Sequence, residues 1–343
     1  MKKLLFLILA LMSLLLAVGM ALAADGGEAT FFNPIAYTGS DPFLTYDKED
    51  QCYYYCYTTY NSVRVAKVDD PTVLRRNLTR SKQVYIGVMG SELTKEFWAP
   101  ELLKIDGTWY IYFTASSDIT NTHKMFLLRC TGDKPTDQFE LVGEVDTGFC
   151  NWSIDGTMFE YGGERYFVWA SYGPLASGIA LYMAHMDSLT SIDTEPILLS
   201  SATQDWEQKA ALVNEGPQPL FKGDTLHIAF SANDGNTDHY CLGLLTYRPE
   251  QGDILDPNAW IESDGPVFSS VDGSTGPGHN SFTTSPDGTE DYIVYHANIV
   301  SGTGFSGRSV RMQKFTWDGD MPVFGEPARP YEALPIPSGL VVD

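Results

Sequence analysis

Residues 222–231 read KGDTLHIAFS and combine a short turn with an alternating apolar segment. Lys222-Gly223-Asp224 is typical of a tight turn, and Leu226 to Phe230 alternates like a half-buried strand. The segment therefore predicts a β-hairpin. Just upstream, Glu215 is followed by Gly-Pro. Because proline lacks a backbone N–H and restricts the chain, this predicts a rigid loop that carries a carboxylate.

The same combination of turn and aromatic-rich alternation occurs four more times along the chain. These copies are DQCYYYCYT at 50–58, DGTWYIYFTAS at 106–116, GGERYFVWAS at 162–171 and DGTEDYIVYHA at 287–297. The five copies begin about 55 to 65 residues apart, within the range of periods that marks repeat architectures. Long helical periodicity is absent between them. The sequence therefore predicts an all-β fold, a five-bladed β-propeller with about four antiparallel strands per blade. A β-sandwich is the alternative, but it requires no repeat at fixed spacing.

The N-terminus predicts export. Residues 2–3 are lysines, residues 4–18 are apolar, and Ala-Leu-Ala follows at 21–23. This is the pattern of a secretory signal peptide that is cleaved after Ala23. We therefore expect a signal peptide at 1–23 and one propeller domain at 24–343, secreted to the extracellular space or the periplasm. Later segments are not apolar enough to predict a membrane span.

The net charge limits the classes of partner, and the cysteine count limits the number of disulfides. The chain has 22 Lys and Arg against 44 Asp and Glu, a formal net charge of −22. Such a chain repels nucleic acid and anionic membranes, so we expect neither as a partner. Aromatic residues make up 13% of the chain and suit stacking on sugar rings, although they equally suit a β-rich core. The five cysteines, an odd number, predict mostly buried thiols with room for one disulfide.

Three carboxylates stand beside glycine or proline just before repeat copies. They are Asp41, Asp155 and Glu215, in the predicted first, third and fourth blades. The innermost strands of a propeller converge on its axis, so acids at these positions can meet in one central pocket. The alternative is that each is an ordinary turn residue, since turns use Asp-Pro and Glu-Gly freely.

Five short motifs in one order resemble glycoside hydrolase family 43, the five-bladed arabinofuranosidases, xylosidases and arabinanases. The motifs are GSDP at 39–42, FWAPE at 97–101, IDG at 154–156, NEGP at 214–217 and GHNS at 278–281. The resemblance covers nearly all of the predicted mature chain. It implies an inverting mechanism in which Asp41 is the general base, Glu215 the general acid and Asp155 the residue that tunes the pKa of the acid.

The resemblance also implies roles for residues around the acids. His279 matches a histidine on the propeller axis that helps to hold a structural calcium ion through water; the alternative is a hydrogen-bonded core histidine. No cofactor is expected for catalysis itself. Trp98 matches an aromatic residue that stacks on sugar or lines the pocket, with a core position as the alternative. Arg308 matches an arginine that faces the substrate, and Phe43 is expected to line the pocket of the terminal sugar.

The substrate class follows from the resemblance and from the expected absence of a second domain. The chain looks most like the α-L-arabinofuranosidases, which act on plant polysaccharides or oligosaccharides such as arabinan and arabinoxylan. A β-xylosidase and an endo-arabinanase are the enzymatic alternatives, and a carbohydrate-binding propeller is the non-enzymatic one. We expect a monomer. The sequence has no His-x-x-x-His zinc pattern, no Gly-x-Ser-x-Gly elbow and no phosphate loop.

Overall fold

The computed structural model describes residues 29–91, 93–117, 122–149 and 152–341. The predicted signal peptide and Cys150 lie outside the described residues. Within the described part, no helix is both long and apolar enough to cross a membrane. Cys52, Cys56, Cys130 and Cys241 are buried free thiols.

Five antiparallel sheets form the body of the protein, so the predicted five-bladed propeller is confirmed. Four sheets have four strands, and the sheet of the third blade has five. In every sheet the first four strands are hydrogen-bonded neighbours in chain order. The first two blades contain β2 (Phe43–Asp47), β3 (Cys52–Thr59), β4 (Ser62–Val68), β5 (Lys82–Ile86), β6 (Lys95–Ile105), β7 (Thr108–Ser116), β8 (Lys124–Cys130) and β9 (Phe139–Glu144).

The other three blades follow in chain order. They contain β10 (Ser153–Tyr161), β11 (Glu164–Ser171), β12 (Ala180–Ser188), β13 (Ser191–Ile192), β14 (Ile197–Ser200), β15 (Asn214–Lys222), β16 (Thr225–Ala232), β17 (Cys241–Tyr247), β18 (Trp260–Glu262), β19 (Thr275–Thr284), β20 (Asp291–Asn298), β21 (Arg308–Asp318) and β22 (Met321–Val323). Outside the blades, β1 (Thr30–Phe32) pairs with β23 (Ala333–Pro335). The helical segments are short: α1 (Arg75–Leu78) and the 3-10 turns Pro71–Val73, Pro249–Gln251, Pro257–Ala259 and Gly304–Gly307.

The first strand of every blade faces the propeller axis. Each of β2, β6, β10 and β15 contacts the first strand of the next blade, and β19 returns to contact β2. The ring is also closed near the chain ends, where Ala36 and Val310 form an isolated antiparallel bridge. Residues from the first and last blades therefore meet at the axis.

The five repeats found in the sequence are the second strands of the five blades: β3, β7, β11, β16 and β20. Their residues are buried on both faces of the sheet, as Tyr53, Tyr54 and Tyr55 show with 1–2% exposure. Neighbouring blades cover both faces of these strands, which explains why aromatic residues occupy consecutive positions. The C-terminal part of the chain provides β21 and β22, which complete the last blade.

A residue with left-handed backbone occurs at the inner edge of every blade. These axial bulges, as we call them, are Asp41 (φ 49°), Ala99 (φ 41°), Asp155 (φ 55°), Gly216 (φ 57°) and His279 (φ 45°). In four of the blades the pairing of the first two strands shifts register at this point. A non-glycine residue in this conformation costs roughly 1–3 kcal/mol, and such residues concentrate at functional sites.

The axial bulges separate two cavities. Asp41, Asp155 and His279 line a cavity of about 550 Å³. The residues two positions after four of the bulges line a second cavity of about 370 Å³; they are Phe43, Glu101, Thr157 and Gln218. The backbone conformation at each bulge thus determines which side chain faces which cavity.

Candidate active site

The larger cavity brings together the three predicted carboxylates. Asp41 comes from the first blade, Asp155 from the third and Glu215 from the fourth, and all three line the cavity. Arg308 and His279 line it as well. The grouping depends on the closed ring, since Asp41 and Arg308 are 267 positions apart in the chain.

Glu215 has the surroundings of a general acid. It lies inside β15 and not on a loop as expected, because the strand continues through the bulge at Gly216 and Pro217. The Tyr240 hydroxyl donates a hydrogen bond of 2.8 Å to Glu215 Oε1. Burial raises the pKa of Glu215 to about 7, although the Tyr240 hydrogen bond and the Arg308 charge act in the opposite direction. The carboxyl therefore retains its proton up to near-neutral pH.

Asp155 is buried next to Glu215. Its backbone N–H donates to Thr114 Oγ1 at 3.1 Å, and the backbone N–H of Gly216 donates to its Oδ2 at 3.2 Å. One oxygen of each acid and one nitrogen of His279 all lie within 4.8 Å of one another. Burial and the charge of Glu215 raise the pKa of Asp155 well above its ordinary value. The two acids titrate as a pair, because ionising both places two like charges in a buried site.

Asp41 lies against a cation. Arg308 Nη1 donates a hydrogen bond of 3.3 Å to Asp41 Oδ1, and His279 Nδ1 lies 3.3 Å from the same oxygen. Burial lowers the pKa of His279, so its ring is neutral at pH 7. The backbone N–H of Asp41 donates to His296 Nδ1 at 3.2 Å. The carboxylate is thus fixed through both its side chain and its backbone.

Arg308 is itself fixed. Its Nη2 donates to the carbonyl oxygen of Gly235 at 3.0 Å, and its guanidinium lies 4.6 Å from the ring centre of Phe305. Only 8% of the residue is exposed. A buried arginine held on two sides can orient a carboxylate and a neutral sugar hydroxyl at once.

Aromatic side chains form one wall of the cavity. Trp98 and Trp152 both line it, and Trp98 stacks on His123 with ring centres 3.9 Å apart. Tyr172, which is 56% exposed, lies beyond Trp152 with ring centres 5.8 Å apart. Aromatic faces of this kind suit the apolar face of a sugar ring.

Phe43 is not among the residues that line this cavity. It is 7% exposed, packs in a core cluster and lines the second cavity. The left-handed conformation of Asp41, two positions earlier, changes which side of the strand faces the carboxylates. The expectation that Phe43 lines the sugar pocket is therefore replaced by a role in axial packing.

Two residues of the site were not found from the sequence. Tyr240 contacts Glu215, and His296 contacts the backbone of Asp41. His296 lies within one of the five repeats, where alternation reads as core, and Tyr240 follows a turn. No local pattern separates either residue from ordinary packing, since the Tyr240 contact depends on how the fourth blade folds and the His296 contact on closure of the ring.

The second cavity contains the residues that fit a structural cation. Glu101 is 5% exposed, and its Oε2 has no hydrogen-bond partner among the described residues. Burial raises the pKa of Glu101 to about 8, although hydrogen bonds from Gln218 and Thr157 act in the opposite direction. Thr157 and Gln218 line the same cavity, and their side chains contact the Glu101 carboxyl. Oxygen ligands are what calcium prefers. His279, the residue matched to the calcium position, lines the other cavity beside Asp41, where it forms with Asp155 and Glu215 a group of side chains close enough to hold a metal ion.

Comparison with known proteins gives one family. The family model described as "Glycosyl hydrolases family 43" matches residues 31–322. A relative from Streptomyces avermitilis, described as "Extracellular exo-alpha-(1->5)-L-arabinofuranosidase", is 34% identical over an aligned length of 330 residues, and the match covers 90% of this chain and 66% of the relative. A relative from Streptomyces chartreusis with the same description is 31% identical over 78% of this chain and 83% of the relative. The chain thus spans about two thirds of the first relative's length.

A solved structure is similar over most of the chain. The crystal structure of an alpha-L-arabinofuranosidase from Lactobacillus brevis has a TM-score of 0.81 and 30% sequence identity, and the match covers 88% of this chain and 98% of that one. A thermostable family-43 glycoside hydrolase has a TM-score of 0.72 at 22% identity and shows the same fold.

Proposed function

The chain belongs to glycosyl hydrolase family 43 and is a glycoside hydrolase, and we propose that it releases α-L-arabinofuranosyl residues from arabinan or arabinoxylan with inversion of configuration. The observation that carries the proposal is that Glu215, whose pKa burial raises to about 7, lies in one cavity with Asp41, to which Arg308 donates a hydrogen bond. Two relatives described as exo-arabinofuranosidases support the choice of sugar.

Glu215 is suited to protonate the leaving oxygen. Because the Tyr240 hydroxyl donates to Oε1, the acidic proton of Glu215 belongs on Oε2. As the bond between the anomeric carbon and the glycosidic oxygen breaks, that oxygen takes the bonding electron pair and the proton from Oε2. Glu215 becomes a carboxylate, and the charge of Arg308 together with the Tyr240 hydrogen bond offsets part of the cost.

Asp41 is suited to activate water on the opposite face of the sugar. The water oxygen forms the new bond to the anomeric carbon, and its proton passes to the Asp41 carboxylate. Inverting enzymes separate the two carboxyl groups by roughly 6.5–9.5 Å so that this water fits between acid and base. Exchange with solvent then returns the proton from Asp41 and reprotonates Glu215, which restores the starting state.

A substrate panel tests the proposal. Aryl α-L-arabinofuranoside and aryl β-D-xyloside should be compared at equal concentration, alongside linear arabinan and arabinoxylan. We expect rapid cleavage of the arabinofuranoside, release of single arabinose units from the polymers, and a β-configured product at first appearance by proton NMR. Preferential cleavage of the xyloside would assign the enzyme to xylosides and not to arabinofuranosides. Oligosaccharide products from arabinan would indicate endo action. Binding without cleavage of any substrate would leave a carbohydrate-binding protein.

We also propose that the protein acts outside the cell as a monomer, after removal of residues 1–23. Two relatives are described as extracellular, which supports export. Expression of the full chain in a secreting host should yield an external protein that begins at Ala24. Intracellular full-length protein in the same host would contradict the proposal.

Replacement of Asp155 by asparagine should move the alkaline limb of the pH–rate profile to lower pH. The acid form of Glu215 is the active one, so activity falls as pH rises through its pKa, which is about 7 in the intact protein. In the coupled pair the second proton leaves against the charge left by the first. Asparagine removes that charge, so the proton on Glu215 leaves at lower pH. The measurement is kcat against pH with an arabinofuranoside of poor leaving group. An unchanged or upward-shifted limb would contradict a role for Asp155 in tuning the acid.

A cation in the second cavity should stabilise the fold. We propose that Glu101, with Thr157 and Gln218, holds a calcium ion and its waters. Ligand at a hundredfold excess over Kd adds about 2.7 kcal/mol. A chelator should therefore lower Tm, calcium should restore it, and Glu101→Gln should remove both responses. The matched variant His279→Asn should keep them. Equal Tm values for the intact protein with chelator and with calcium would contradict the site.

A further inference from the structure

We propose that His296 and Tyr240 form a positioning pair that fixes the general base relative to the general acid. The inference rests on the proposed function, because it takes Asp41 and Glu215 as the two catalytic groups. His296 contacts the backbone of Asp41, Tyr240 contacts the side chain of Glu215, and the two rings stack on each other. Neither ring is among the described residues that line the catalytic cavity.

His296 controls the conformation of the base. Its Nδ1 accepts the backbone N–H of Asp41 at 3.2 Å, so this nitrogen is unprotonated and the ring hydrogen is on Nε2. The ring is fully buried, and burial together with Arg308 and His279 lowers its pKa, which agrees with a neutral imidazole. Asp41 has φ 49°, a conformation that persists only where its surroundings hold it. The acceptor on His296 is one such restraint.

Tyr240 connects His296, which restrains Asp41, to the proposed acid Glu215. Its ring is parallel to that of His296, with an interplanar angle of 4° and ring centres 5.6 Å apart. Tyr240 is also fully buried, and its hydroxyl donates to Glu215 Oε1 at 2.8 Å. The two catalytic groups are thus connected by two rigid rings, whose conformational freedom is small compared with that of an aliphatic side chain.

The backbone around the pair leaves space for it. A Cβ atom at Gly278 would lie 2.3 Å from Cε1 of Tyr240, so only glycine admits the ring at this position. Gly278 directly precedes His279, whose backbone N–H donates to Ser231 Oγ at 2.8 Å. The close packing of β19 against Tyr240 therefore holds the Tyr240 ring in contact with His296 and within hydrogen-bond distance of Glu215.

The first test compares His296→Leu with His296→Asn. Leucine removes the acceptor, whereas the asparagine oxygen occupies nearly the position of Nδ1 and can still accept from Asp41. A displacement of about 1 Å at a reacting group can lower the rate about 10²-fold. We expect His296→Leu to lower kcat by about this factor on arabinofuranosides of both good and poor leaving groups, with KM unchanged. His296→Asn should restore most of kcat.

The second test is Tyr240→Phe, which keeps the stacked ring and removes only the hydroxyl. Because the hydrogen bond from Tyr240 lowers the pKa of Glu215, its loss should move the alkaline limb of the pH–rate profile to higher pH. The other groups that face Glu215 stay in place; they are Asp41, Asp155, Asp234, His279 and Arg308. The shift should be opposite in direction to that expected of Asp155→Asn.

The outcomes separate positioning from packing. Intact kcat in His296→Leu, or equal loss in the leucine and asparagine variants at matched Tm, would overturn the role of His296. An unmoved alkaline limb in Tyr240→Phe would overturn the link to Glu215. Failure of the proposed function appears differently, as absence of arabinofuranoside cleavage by the unmodified protein, and the variants can then be measured on whichever glycoside it cleaves.

Discussion

Alanine in place of Asp41 should abolish turnover on every glycoside, whatever its leaving group. The water that attacks the anomeric carbon must lose a proton, and in the proposed mechanism that proton passes to Asp41, which Arg308 contacts in the cavity. Proton transfer by a positioned group contributes roughly 10²–10⁴-fold, and we expect a loss near 10⁴-fold. The loss should appear in kcat on an activated aryl arabinofuranoside as fully as on arabino-oligosaccharides.

A small anion provides the control for this variant. Azide needs no base, so it should react with an activated aryl arabinofuranoside in Asp41→Ala and give the glycosyl azide of inverted configuration. The exposed residue Asp318 offers a matched substitution, and Asp318→Ala should retain full activity. Substantial activity of Asp41→Ala without azide would assign the base to another group.

Alanine in place of Glu215 should produce a loss that depends on the leaving group. A sugar alcohol departs only with a proton, so kcat on arabino-oligosaccharides should fall by roughly 10²–10⁴-fold. A nitrophenolate leaves without one, so the activated aryl substrate should be affected far less. The measurement is the ratio of the loss in kcat on arabino-oligosaccharides to the loss in kcat on the aryl substrate, both determined with the same enzyme preparation. The alkaline limb near pH 7, which we assign to Glu215, should also disappear from the residual activity on arabino-oligosaccharides.

Equal impairment of Glu215→Ala on good and poor leaving groups would remove Glu215 from the acid's role. Asp155 would then be the next candidate, since it lies beside Glu215 and also has a raised pKa. Glu215→Gln distinguishes loss of the proton from loss of side-chain volume. It should reproduce the dependence on the leaving group seen with alanine.

The blades could be predicted because their second strands carry a strong local signal. Each combines a turn with consecutive aromatic residues, as in residues 50–58, and neighbouring blades bury both faces of such a strand. The three carboxylates were found for a related reason. Asp41, Asp155 and Glu215 each adjoin glycine or proline, and those residues mark the bulges that direct side chains toward the axis.

The parts of the site that could not be predicted depend on contacts between residues that are distant along the chain. His296 contacts Asp41 across 255 positions, and its own strand reads as ordinary core. Phe43 was assigned to the wrong cavity because the left-handed residue two positions earlier changes the alternation, and sequence does not show which residue takes positive φ. The loop expected around Glu215 is part of a strand. A bulge accommodates the restricted backbone of Gly216-Pro217 without ending β15, and the sequence does not show that a bulge forms there.

The closure of the ring has a consequence for biosynthesis. Asp41 belongs to the first blade, while Arg308, His279 and His296, which surround it, all belong to the fifth. During synthesis from the N-terminus, four blades emerge from the ribosome before the partners of the base exist. A nascent or C-terminally truncated chain therefore carries the carboxylate of the proposed base without the cation and imidazoles that hold it. Hydrolytic competence arises only once the final blade docks against the first, so this architecture itself withholds activity from incomplete chains.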